Sequence, residues 1–148
     1  MEQPKTPEGN KERGDLMFWH KSFGAFVFFT APVRVLVRLG TKTPPHLPGP
    51  AIMQSLSSLS HLALYGGLLF MASSGVGMAY NSAKPIPFFF TELNLVREQP
   101  DGATAKQLYK LHKQVGYWWK FMVPLHVGAA GLHFVQGHRI FSRINPFL

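Results

Sequence analysis

Residues 108–135 read LYKLHKQVGYWWKFMVPLHVGAAGLHFV, a run long enough to cross a bilayer as one helix, with His112 and His126 fourteen residues apart. At 100° per residue, fourteen steps return to within about 40° of the starting direction, so both rings leave one side of the helix. They stand about 21 Å apart along its axis, which is two levels of a membrane. A neutral imidazole nitrogen is an iron ligand, and the core between facing helices can hold a cofactor. The pair therefore reads as haem ligands at two depths.

Composition sets the same frame. The chain has 148 residues, 46% apolar, with thirteen Phe and 15% charged residues, and the charges are crowded out of three long stretches. That is an all-α membrane profile with polar ends. The absence of cysteine excludes disulfides, thiolate metal sites and covalent c-type haem attachment. Any haem is held non-covalently. The net charge of +8 is spread over the N-terminal segment, the connections and the tail, without a basic helix face or an RNA-binding motif, so no nucleic-acid partner is expected. Lys and Arg placed beside apolar spans set topology in a lipid bilayer.

Working outward, a second span covers about residues 56–80, through HLALYGGLLFMASSGVGMAY, with no formal charge. Its small residues, Gly66, Gly67, Ser73, Ser74, Gly75 and Gly77, permit close approach of another helix or of a flat ring. The first span covers about residues 17–39, with Trp19 and Lys21 at its start, Arg34 and Arg38 at its end, and Pro32 expected to bend it. Between these two spans KTPPHLPGP breaks the chain, since Pro44, Pro45, Pro48 and Pro50 cannot continue a helix. Residues 1–15 mix Glu, Lys, Pro and Gly without apolar periodicity and are expected to form an exposed polar arm. Residues 81–106, beginning around AKPIPFFF, are expected as a loop lying at the interface.

Loop charge orients the chain. Arg34, Arg38, Lys42, Arg139 and Arg143 flank the spans on one side with no acid among them, whereas all seven acids lie on the other side. The expected arrangement is N-terminus outside and C-terminus inside.

His20 follows Trp19 at the start of the first span. With three antiparallel crossings the first and third spans run parallel, so His20 and His112 share one level, and two imidazoles on parallel helices suit a six-coordinate haem b. The competing reading makes each an interfacial polar residue at a helix start, which their common depth disfavours. His126 lies deeper, after Pro124, with His133 seven residues further on. His61, near the start of the second span, is its candidate partner, either around a second haem or as a structural hydrogen bonder. Arg34 and Arg38 fall fourteen and eighteen residues after His20, at the opposite surface, as propionate partners or topology anchors. There is no HExxH, nucleophile elbow or phosphate-binding glycine loop, so no catalytic residue is expected.

These residues resemble the bacterial-type cytochrome b561 proteins, four-helix membrane di-haem electron carriers. The likeness runs from WHKSFG through VRVLVRLGTKTPP and SHLALYGGLLFMASSGVGMAYN to LHKQVGYWWKFMVPLHVGAAGLHF, about residues 18–136. It implies that His20 and His112 share a haem b. The family's second haem uses the position matching His126 and a histidine on a first helix that has no counterpart here, so the resemblance implies a truncated four-helix bundle of three spans. One haem at His20/His112 is then expected, and a second only if His61 or another subunit supplies a ligand. Of the family's paired histidines at the next helix start, the chain keeps His61 and has Ser58 at the other position.

Two functions fit. One is an electron-transfer subunit passing single electrons between a quinol pool or partner haem and another redox centre, in a bacterial plasma membrane or mitochondrial inner membrane. The other is a structural accessory subunit of a respiratory, photosynthetic or ATP-synthase complex, with vestigial or absent haem. Either way, other membrane subunits are expected to cover the face of the missing helix.

Overall fold

The computed structural model describes residues 6–42, 49–138 and 140. Three long helices dominate it: α1 (Pro7–Gly40), α2 (Ala51–Asn81) and α3 (Gly102–Val135), with two short strands, β1 (Ile86–Phe88) and β2 (Thr91–Leu93), between α2 and α3. Among the described residues, α1 and α2 are long and apolar enough to cross a membrane. The third helix matches them in length, but His112, Lys113, Gln114, Lys120, His126 and His133 dilute its hydropathy.

Each helix exceeds the span read from the sequence. The first begins at Pro7 instead of near residue 17, so most of the expected arm is helical and, apart from Gly9, exposed. Local chemistry explains this: Thr6 Oγ1 accepts a hydrogen bond from the Gly9 N–H at 3.1 Å, Pro7 occupies the first turn, and Glu8 complements the helix dipole. Apolar periodicity marks where a helix is covered or lipid-facing, not where its backbone starts. The chain continues helically through Pro32 and Pro124. Residues 1–5, most of KTPPHLPGP, and the tail residues Arg139 and Arg143 lie outside the described residues.

What the chain buries is small. Ala25, Ala31, Ala72 and Ala105 are covered, with Ile86 the one larger apolar residue among them, whereas Phe23, Phe26, Phe29, Leu36, Leu62, Trp118 and Leu125 are exposed. A chain in water would hide those rings, and lipid has no reason to. Small side chains instead let helices approach. In the α2·α3 seam a Cβ at Gly67 would run into the Trp119 indole, one at Gly77 would stand 3.1 Å from Leu108 Cδ1, and one at Gly116 would stand 3.2 Å from Met71 Cε. These contacts fix one antiparallel register. The second helix packs along both others, while α1 and α3 make little direct contact.

The segment expected as a loop contains an antiparallel hairpin, in which Ile86 pairs Leu93, Pro87 pairs Glu92 and Phe88 pairs Thr91. Its two-residue turn is Phe89–Phe90, and Phe89 adopts a left-handed backbone with φ 54°. That conformation ordinarily calls for Gly or Asn, so the usual hairpin signal is missing from the sequence. Phe89 is held there by its surroundings, with ring contacts to Trp19, Phe23, Phe26 and Phe88. Fully buried Ser22 pins the hairpin to α1, donating to the Pro87 carbonyl at 3.2 Å and accepting from the Phe89 N–H at 3.2 Å.

Candidate functional site

The end of α2 is tied to the start of α3 by polar contacts. Asn81 donates to the Gly77 carbonyl at 2.8 Å and accepts from the Arg97 guanidinium at 3.1 Å, and Arg97 also pairs with Asp101 at 3.3 Å. Asp101 caps α3, accepting from the Thr104 N–H at 3.0 Å and from its hydroxyl at 2.8 Å. These Thr104 hydrogen bonds, with Arg97 adding a smaller push, hold the Asp101 carboxyl below its ordinary pKa. The clasp fixes the depth of α3 against α2, which in turn sets the level of His112.

At that level His20 of α1 and His112 of α3 meet, with ring centres 6.0 Å apart and planes at 89°. Two imidazoles at this spacing could together hold a metal-centred cofactor, each through one ring nitrogen. The helices that carry the two rings make little direct contact with each other. His112 is further held from α2: its Nδ1 lies 2.8 Å from Ser74 Oγ, and the Ser74 hydroxyl donates to the Met71 carbonyl at 3.1 Å. Gly75 lies under the same ring, where a Cβ would stand 3.6 Å from His112 Cε1.

At the other level His61 and His126 have ring centres 5.1 Å apart, and His61 Nδ1 donates to the Ser57 carbonyl at 2.9 Å. This pair sits within the α2·α3 seam. His61 stands to His126 along the two helices as Ser74 stands to His112, so it approaches from the side of the packed neighbour rather than across an opening. His133 turns to His138, with their Nδ1 atoms 3.4 Å apart. Arg34 and Arg38 are exposed near the far end of α1, away from His20. The first histidine pair and the His61/His126 contact were legible as shared levels in the sequence. Ser74 read only as packing, because a serine among glycines gives no sign of the imidazole it will meet.

Among the described residues no three His, Asp or Glu side chains gather as a set for a bare metal ion. A pair suits a group that brings its remaining ligands with it, as a porphyrin does. Long apolar helices and paired imidazoles are the parts a membrane cytochrome would use. The family profile described as prokaryotic cytochrome b561 matches residues 3–146, and the chain belongs to that family. It is accordingly a membrane b-type cytochrome of electron transfer, in a family whose cofactor is haem b.

Proposed function

We propose that the chain holds one haem b between His20 and His112 and carries single electrons through it within a larger membrane complex. The observation that carries this reading is the 6.0 Å separation of the two ring centres across helices that do not pack together. When bound, the haem supplies a reversible one-electron couple. The residues supply the rest: His20 and His112 would hold the haem iron through ring nitrogens, Ser74 steadies the His112 ring, and the Ser22-pinned hairpin packs on α1 beside His20. All three helices cross the membrane in this reading, with the N-terminus outside, in an energy-transducing membrane of bacterial or mitochondrial type. Arg34 and Arg38 then serve the opposite surface.

Membership of a complex rests on openness. His20 is exposed in the isolated chain, as are Phe23, Phe26 and Phe29 further along α1. Further subunits closing this side would lower the local polarity around the iron and bring an electron donor, a quinol or second haem, within reach. The same openness favours a second reading, an accessory subunit whose structural role persists without electron traffic. A reduced-minus-oxidised spectrum with the haem-to-protein ratio separates them. A ratio of one with a reducible b-type band supports the carrier, and no haem in protein purified with its complex leaves the structural role.

A further inference from the structure

We infer that Ser74 is a positioning residue that fixes the tautomer of His112, leaving its Nε2 lone pair available to a ligand. The inference rests on the His20/His112 reading above and concerns the chain's own hydrogen bonds. A serine hydroxyl has one proton to donate and lone pairs to accept with. The Ser74 proton is committed to the Met71 carbonyl at 3.1 Å, one helical turn back. A carbonyl cannot donate, so that bond has only one direction. With its proton spent, Ser74 Oγ faces His112 Nδ1 at 2.8 Å as an acceptor, and Nδ1 carries the hydrogen. A neutral imidazole protonated at Nδ1 has its lone pair at Nε2.

Burial strengthens the constraint. Ser74 is 3% exposed, so water does not compete for its oxygen. The opposite tautomer would leave two acceptors facing each other across 2.8 Å in an apolar seam, or would force Ser74 to abandon Met71. Neither is needed. His112 thus has its ring plane and its proton set from α2 before any iron arrives, and the Nδ1–H···O bond makes the ligating nitrogen more basic.

The test uses the full-length chain in detergent, first without haem and then loaded. Nitrogen-15 NMR of labelled histidines, with the His112 signal identified by its loss in His112→Ala, is expected to show the Nδ1–H form in wild type and a tautomer mixture in Ser74→Ala. In the loaded protein Ser74→Ala is expected to keep two histidine ligands, raise the midpoint potential and retain haem about tenfold or more weakly. Ser74→Thr, which keeps the hydroxyl, is expected to restore the wild-type tautomer. An Nε2–H form of His112 in the wild-type chain overturns the inference without any variant, as does an unchanged potential in Ser74→Ala. Wild-type protein that shows the Nδ1–H form yet takes up no haem refutes the haem reading while upholding the Ser74 hydrogen bond.

Discussion

His20 and His112 meet with ring centres 6.0 Å apart and planes at 89°, although all of α2 and both hairpin strands separate them in sequence. That separation is of the order expected for two imidazoles that would share one iron. Replacing either ring with a methyl group would remove one of the two nitrogens that would hold the haem. His20→Ala and His112→Ala are each expected to abolish the low-spin b-type reduced spectrum, read by absorbance on purified protein. Unchanged haem content in both variants would refute the site.

The His61/His126 pair is expected to behave differently. Its rings are 5.1 Å apart, closer than the 6.0 Å of the first pair, and they belong to helices in direct contact. His61→Ala and His126→Ala should therefore leave one haem per chain, measured as haem against protein. Loss of half the haem in either variant would establish a second site at this level.

Close packing of α2 on α3 depends on Gly67, because any side chain there meets the Trp119 indole. Gly67→Ala is expected to cost about 1–3 kcal/mol of helix-pair stability, as overpacked positions do. Thermal unfolding in detergent would register this as a lower midpoint. A combined Gly67→Ala, Trp119→Leu variant should recover part of the loss.

Ser22 is fully buried and serves both a donor and an acceptor of the hairpin. Ser22→Ala strands the Phe89 N–H and the Pro87 carbonyl, at a cost of about 1–3 kcal/mol for a buried group left unmade. Hydrogen exchange across residues 86–93 should accelerate while the helices stay protected. Equal protection in the variant would show that the phenylalanine contacts alone hold the hairpin.

Asp101 sets a pH dependence at the α2–α3 clasp. Hydrogen bonds from Thr104 depress its carboxyl, with Arg97 assisting, so folding favours the ionised form. A depressed acid contributes stability above its unfolded pKa and loses it as pH falls through the lower folded value. Acidification through the carboxylate range should loosen the start of α3, followed by exchange at Thr104 and Ala105. Asp101→Asn, which keeps an N-capping oxygen, should flatten that dependence.

Residues 56–80 and 108–135 declared their helices by apolar content, and the fourteen-residue spacing of His112 and His126 declared two levels on one face. Those features are local, because helical periodicity converts sequence spacing directly into direction. The shared level of His20 and His112 followed from antiparallel crossings, and the motifs around them pointed to the cytochrome b561 family. The ends of the helices did not follow, since caps such as Thr6 and Asp101 act on backbone groups regardless of hydropathy.

Only the tertiary structure decided the hairpin and the company of each histidine. Phe89 takes a left-handed backbone because Trp19, Phe23 and Phe26 surround it, and no local preference of phenylalanine would have indicated that. Likewise the seam register, set by Gly67 against Trp119, gives His112 a serine and His126 a histidine as neighbours on α2. The sequence determined which residues share a face and a depth. Which partner stands opposite depends on how two helices slide past each other, and steric fit between distant side chains sets that register.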